Sequence, residues 1–179
     1  MSMSRPKSKW LWSNFMPKRR KKMTEVHTNY VPLVRLHAVK ERFLPYGVEG
    51  NINTPEKVVK MVSRLLKGAD REHALAISVD AKSKPVGIEI VAVGSLNVAY
   101  IEPRELFKHA ILSNASGIIL VHNHPSGDVT PSIEDWHLTY RIMDAGALLG
   151  VELLDHIITG DNEEFVSLSE KEKWKKERN

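Results

Sequence analysis

Residues 117–135 read GIILVHNHPSGDVTPSIED, an apolar run that ends in two histidines and continues into polar residues. The run at 117–121 is too short and too rich in β-branched side chains for a helix, so it predicts a buried strand. Because side chains alternate along a strand, His122 and His124 are expected on one face, where one metal ion can bridge them.

The residues after the histidines predict a turn and then a helix. Pro125-Ser126-Gly127-Asp128 is typical of a turn, and Ser132 followed three residues later by Asp135 is typical of a capped helix start. Asp135 would then lie in the first helical turn, directed back toward the end of the strand. Two neutral imidazoles, one carboxylate and a fourth position left to water form the ligand set of a catalytic zinc site rather than a structural one.

The metal prediction depends on this conjunction of elements. An isolated His-x-His pair is a weak signal, because ordinary core and surface histidines outnumber metal ligands. A strand that delivers His122 and His124, followed by a turn and a capped helix that delivers Asp135, is a stronger one. We predict Zn²⁺, since mixed imidazole and carboxylate ligands in a tetrahedral site suit it, although Fe²⁺, Co²⁺ and Mn²⁺ also bind such ligands.

The spacing His-x-His-x7-Ser-x2-Asp resembles the metalloprotease motif of the JAB/MPN family, often called JAMM. Four segments resemble the RadC-type branch of that family: HNHPSGDVTPS at 122–132, GSLN at 94–97, PRE at 103–105 and LDHII at 154–158. The resemblance covers about residues 54–168. It implies an α/β (α+β) fold, with a mixed β-sheet flanked by helices in a cytidine-deaminase-like architecture. It also implies a zinc-dependent hydrolase that cleaves a peptide or isopeptide bond with a metal-activated water.

The resemblance implies roles for two further residues. In the family a glutamate precedes the first core strand after the first helix, and Glu72 occupies that place, which makes it the predicted general base. An exposed acid at a strand end is the non-catalytic interpretation of Glu72. Glu105 is the competing candidate, although an exposed first-turn carboxylate explains it better. Ser132 is expected to cap its helix and, by resemblance, to help bind the oxyanion of the tetrahedral intermediate.

Three polar residues near these motifs receive supporting roles. Asn123 must point away from the face of the two histidines, so we predict a hydrogen bonder that fixes the loop. The adjacent Asp155 and His156 face opposite sides of a strand and cannot form a tight dyad with each other. One of them can fix an imidazole or the motif loop, because a metal-bound histidine needs a partner for its other nitrogen. A satisfied polar residue of the core is the equal alternative.

Periodicity and turn residues predict the other elements. Thr54-Pro55 begins a helix that ends at Lys67-Gly68, and a strand follows over about 72–80. Pro32 limits residues 30–36 to an edge strand. The remaining predictions are strands near 87–93 and 97–101, a helix from Pro103, a helix from Ser132 to about Gly146 and a last central strand over 151–159.

Composition is that of an ordinary soluble globular protein. The chain has 179 residues, of which 42% are hydrophobic and 27% charged, enough for one domain with its own core. The absence of cysteine excludes a disulfide framework and a deaminase-type zinc site, and it fits a predicted cytoplasmic location. No apolar run approaches the roughly 18 residues that a membrane span requires.

Residues 1–22 carry eight Lys or Arg and no acidic residue, so the net charge of +4 belongs to this arm and the remainder is net acidic. Its aromatic and cationic side chains can stack on bases and neutralise phosphates, or lie on an anionic membrane surface. A flexible tail, or an extension upstream of a start at Met23, is the favoured interpretation, because blocks of like charge are usually disordered.

The arm supports an alternative function. The historical DNA-repair label of the RadC family implies a DNA-associated accessory protein, either a binder or a metal-dependent nuclease, with residues 1–22 on the DNA. The net acidic remainder and the missing match to a helix-hairpin-helix region argue against it. The predicted organisation is a flexible basic arm at 1–22, an extension with an edge strand and loop at 23–53, the JAB/MPN domain at 54–168 and a charged tail at 169–179. The expected partner is an unidentified peptide or protein substrate.

Overall fold

The computed structural model describes residues 31–41, 43, 50–94 and 101–177. Two compact units are distinguished, Met1–Arg35 and Leu36–Asn179, and every element given below lies in the second. The basic arm at 1–22 is outside the described residues, so the DNA-binding alternative depends on the sequence alone.

A five-stranded mixed sheet forms the centre of the second unit. Its strands are β1 (Glu72–Val79), β2 (Pro85–Gly94), β3 (Gly117–Asn123), β4 (Glu152–Thr159) and β5 (Phe165–Ser167). They stand in the order β2-β1-β3-β4-β5. The pair β3 and β4 is parallel, and the other neighbouring pairs are antiparallel. All seven residues of β3 are buried, as expected of a central strand.

Helices and their connections cover the sheet. They are α1 (Pro55–Leu66), α2 (Pro103–Leu106), α3 (Lys108–Leu112), α4 (Ile133–Leu149) and α5 (Glu172–Glu177). The two faces of β1 contribute to two different hydrophobic clusters. Leu75, Ile77 and Val79 pack with the buried face of α1. Ala74 and Ala76 belong to the cluster that holds residues of α2, α3, α4 and α5.

The predicted fold class is confirmed, because the sheet is mixed and flanked by helices. The helix predicted from Pro103 is interrupted at Phe107, whose amide bonds back to the Pro103 carbonyl. The strand predicted near 97–101 lies outside the described residues except for Ile101.

The predicted edge strand at 30–36 is wrong for its described residues. Residues 31–36 have no regular secondary structure and are exposed. A strand is stabilised by ladder hydrogen bonds, and none of the strands in the described ranges includes these residues. Pro32 also lacks the N–H group that a ladder requires.

The core includes residues beyond both ends of the predicted 54–168 domain. Ile52 and Trp174 are each only 2% exposed. Trp174 lies in α5, and the ammonium of the neighbouring Lys173 lies 4.8 Å from the centre of the Trp136 ring. None of the helices in the described ranges has the length and apolar character needed to cross a membrane.

Candidate metal centre

The end of β3 and the start of α4 form the candidate site. His122 is the next-to-last residue of β3 and is 1% exposed. His124 follows the strand and is held by its amide, which donates to the Thr159 carbonyl at 2.8 Å. The chain then turns at Gly127, whose φ of 82° suits glycine. Gly160 permits this turn to pack closely, since a Cβ there would lie 2.4 Å from the Gly127 carbonyl oxygen.

The first turn of α4 fixes the third side chain of the site. Ser132 is the N-cap: its Oγ accepts from the Asp135 amide at 3.1 Å. Asp135 completes the capping box by accepting from the Ser132 amide at 2.7 Å. The Ser132 hydroxyl also donates to the same carboxylate oxygen, Oδ2, at 2.6 Å. Asp135 is thereby held in one orientation and is fully buried.

His122, His124 and Asp135 converge, and the ligand atoms that they offer all lie within 4.8 Å of one another. The two Nε2 atoms are 3.0 Å apart, and His122 Nε2 lies 3.1 Å from Asp135 Oδ1. Two nitrogens bound to one tetrahedral zinc ion, each at about 2.0–2.1 Å, would be separated by about 3.3 Å. The three side chains therefore have the spacing of a metal ligand set.

The free oxygen of Asp135 is the observation that best tests this fit. Oδ1 is buried and, among the described residues, meets no hydrogen-bond partner. Burial raises the pKa of Asp135, whereas the Ser132 hydrogen bonds lower it. A buried carboxylate oxygen without a donor calls for a cation.

The other nitrogen of each imidazole has its own partner. His124 Nδ1 lies 2.6 Å from the Asp128 carbonyl, which can only accept, so the proton of a neutral His124 is on Nδ1. His122 Nδ1 lies 2.9 Å from Nε2 of His156, which is fully buried. Burial also lowers the pKa of His156 well below its usual value, which favours the neutral ring.

Glu72 opens β1 at the same end of the sheet as the two histidines. Ala74 pairs with His122 between β1 and β3, so Glu72 stands two residues farther along, toward His124. Its Oε2 is buried and has no hydrogen-bond partner in the part of the chain that is described.

The Asn123 side chain fixes the backbone on both sides of Glu72. Its Oδ1 accepts from the His73 amide at 2.8 Å, and its Nδ2 donates to the Arg71 carbonyl at 3.2 Å. Asn123 is therefore the hydrogen bonder that its position predicts, but it holds the start of β1 rather than the loop that follows it. About fifty residues separate the partners, so no local spacing indicates the contact.

Asp155 and His156 point in different directions, as adjacent strand residues should. Asp155 accepts from the Ser167 hydroxyl at 2.8 Å, the His156 amide at 2.8 Å and the Ser169 amide at 3.1 Å. Burial raises the pKa of this carboxyl. Asp155 thus bonds β4 to β5, whereas His156 contacts the candidate site. Sequence reasoning missed Thr139, whose Oγ1 lies 2.7 Å from His156 Nδ1.

Glu105, the competing general base, is a half-exposed surface residue of α2. It forms ion pairs with Lys108 and, at 3.8 Å, with Arg104. The Lys108 ammonium lowers the pKa of Glu105. These contacts agree with the surface interpretation of Glu105.

Comparison with known proteins gives a family and several relatives. The family model described as "RadC-like JAB domain" matches residues 52–174. A UPF0758 protein of Desulfitobacterium hafniense (strain DSM 10664 / DCB-2) is 48% identical over 120 residues, which cover 67% of this chain and 52% of that protein. A UPF0758 protein of Caldanaerobacter subterraneus subsp. tengcongensis is 44% identical over 125 residues, covering 70% and 53% of the two chains. The chain spans about half the length of these curated relatives, whose names state no activity.

Proposed function

The chain belongs to the RadC-like JAB domain family, and from that premise we propose that it is a metal-dependent hydrolase of peptide or isopeptide bonds. The proposed ligands are Nε2 of His122, Nε2 of His124 and Oδ1 of Asp135, and the proposed ion is Zn²⁺. The observation that carries the proposal is the convergence of these acceptor atoms around a buried carboxylate oxygen that has no donor among the described residues.

A zinc ion held there would lower the pKa of a water toward about 7 and polarise the carbonyl of the substrate. Glu72 is the proposed general base. Its free Oε2 takes the proton that the attacking water loses as the new C–O bond forms, and then gives it to the leaving amine as the C–N bond breaks. One water is consumed, and the products are a carboxylate and an amine.

Ser132 is the proposed donor to the oxyanion. Its hydroxyl donates to Asp135 Oδ2 in this structure, so the proposed role requires the hydroxyl to turn from Asp135 toward the substrate oxygen. The Ser132 amide also donates to Oδ2, at 2.7 Å, and can hold Asp135 while the hydroxyl turns. Loss of such a donor typically lowers the rate about 10²–10³-fold.

The test is hydrolysis of short peptides and of Lys Nε-linked isopeptides by the zinc-loaded protein. We expect cleavage that a chelator abolishes, that zinc restores and that Glu72→Gln removes without loss of zinc. Cleavage that survives chelation, or that Glu72→Gln leaves intact, would contradict the mechanism. Zinc binding without cleavage of any amide in the panel would support the metal site and contradict the peptidase assignment.

A further inference from the structure

A continuous row of buried contacts lies behind the candidate metal centre. It begins at the Asp135 backbone carbonyl, which accepts from Thr139 Oγ1 at 2.7 Å. Thr139 Oγ1 lies 2.7 Å from His156 Nδ1, and His156 Nε2 lies 2.9 Å from His122 Nδ1. Asp135, Thr139 and His156 are fully buried and His122 is 1% exposed, so water does not compete for these groups.

The chemistry of the groups gives this row one direction. The Asp135 carbonyl has no proton, so the single hydroxyl proton of Thr139 is donated to it. Thr139 Oγ1 can therefore only accept from His156, which places the proton of a neutral His156 on Nδ1. The lone pair of His156 is then on Nε2 and requires a donor, which is Nδ1–H of His122.

We propose that Thr139 and His156 are positioning residues that hold His122 as the Nδ1–H tautomer and so direct its Nε2 lone pair to the metal ion. The proposal deepens the proposed metal site and rests on it. If the row ran in the opposite direction, His122 would have its proton on Nε2, toward Asp135 and His124, and could not bind a metal there. Asp135 has two functions in this arrangement. Its carboxylate is a proposed ligand, and its backbone carbonyl accepts the Thr139 hydroxyl proton, which fixes the direction of hydrogen-bond donation along the row.

His124 provides a comparison within the same site. Its Nδ1 donates directly to the Asp128 carbonyl, which fixes the same tautomer in one step. The partner of His122 is an imidazole, that of His156, which can either donate or accept. Thr139 and the Asp135 carbonyl determine which of the two His156 does. The tautomer of His122 should therefore change when Thr139 is replaced, and that of His124 should not.

The matched variants are Thr139→Val and Thr139→Ser. Valine keeps the size and branching of threonine but offers His156 no acceptor, whereas serine retains the hydroxyl. We expect Thr139→Val to move His156 and His122 toward the Nε2–H tautomer and to weaken zinc binding about 10–100-fold. Thr139→Ser should retain the wild-type tautomers and a zinc affinity close to that of wild type.

Two measurements test the proposal without a substrate. The first is the long-range ¹H–¹⁵N NMR spectrum of the histidine rings in metal-free, ¹⁵N-labelled protein at pH 8, above the usual imidazole pKa of about 6.5. Wild-type His122 and His156 should both be Nδ1–H tautomers. The second is zinc titration against a competing chelator for wild type and both variants.

An Nε2–H tautomer of His122 in the wild-type protein would overturn the proposal. So would zinc affinity and His122 tautomer in Thr139→Val equal to those of wild type. Failure of the hydrolase assignment gives a different result, in which the tautomers and the zinc affinities behave as expected but no amide is cleaved.

Discussion

His122 Nε2 and His124 Nε2 face each other at 3.0 Å, and in the tautomers that we propose each ring carries its proton on Nδ1. Two imidazole lone pairs at this distance repel unless a cation lies between them. Asp135 Oδ1, 3.1 Å from His122 Nε2, adds a negative charge to the same point. We therefore expect the folded protein to bind a metal ion between these atoms.

We predict about one zinc ion per chain in protein purified without chelator, measured by elemental analysis. His122→Ala and Asp135→Ala should each lose it, because two ligands do not make a stable zinc site. His137→Ala is the matched control, since His137 is an exposed histidine of the same helix as Asp135. Full zinc occupancy in Asp135→Ala would contradict the ligand set.

Zinc should also stabilise the fold, because it binds the folded site and not the unfolded chain. At a free zinc concentration 100 times the Kd, the free energy of unfolding should rise by about 2.7 kcal/mol. Chemical denaturation with and without zinc measures the difference. The variant His122→Ala should show no rise, and a rise of equal size in that variant would place the stabilising zinc elsewhere.

Glu72→Gln should lower the rate of hydrolysis by about 10²–10⁴-fold and leave the zinc content unchanged, because it removes a proton acceptor and no ligand. Glu105→Gln is the control. Glu105 is a surface carboxylate paired with Lys108, so its removal should leave the rate close to that of wild type. If Glu105→Gln lost activity and Glu72→Gln retained it, Glu105 would be the general base.

Much of this site could be predicted from the sequence, because its parts are local. Strand alternation places His122 and His124 on one face, and the capping pattern of Ser132 and Asp135 fixes the helix start. Contacts between distant segments could not be predicted in the same way. The Asn123 contact with Arg71 and His73 depends on how β1 and β3 pair, and pairing leaves no mark on the spacing of either segment.

Thr139 and residues 31–36 illustrate the same limit. Thr139 lies one helical turn after Asp135, so the sequence predicts that both are on one face of the helix. Its partner His156 belongs to β4, and the sequence does not indicate that contact. Residues 31–36 are mostly apolar, as in many strands, yet composition indicates only which structure a segment suits. Whether a neighbouring strand is present to pair with it is decided by the tertiary structure.

Asn123→Ala should lower activity more than zinc binding. The substitution leaves the His73 amide and the Arg71 carbonyl without their partner, which should cost about 1–3 kcal/mol of unfolding free energy and loosen the backbone around Glu72. The substitution leaves the imidazoles of both proposed ligands, His122 and His124, in place. Zinc titration and denaturation of this variant, beside hydrolysis, separate the effects. A loss of zinc equal to that of His122→Ala would show that Asn123 supports the ligands instead.

Asp155 should make stability depend on pH in a defined direction. Burial raises the pKa of Asp155 above the usual Asp value of 3.8, so the folded protein binds this proton more tightly than the unfolded chain does. The resulting stabilisation is fully present below pH 3.8 and is lost as the pH rises through the folded-state pKa. Asp155→Asn cannot titrate, and its amide can still accept from the His156 and Ser169 amides and donate to the Ser167 hydroxyl.

The unfolding free energy of wild type minus that of Asp155→Asn should therefore decrease as the pH rises from about 3.5 toward 7. Urea denaturation of both proteins across this range measures the difference. Asp155→Ala is the second comparison: it removes the acceptor of three donors and should be less stable than Asp155→Asn at every pH, by about 1–3 kcal/mol. A difference between wild type and Asp155→Asn that grows with pH would mean that the hydrogen bonds to the carboxylate outweigh its burial.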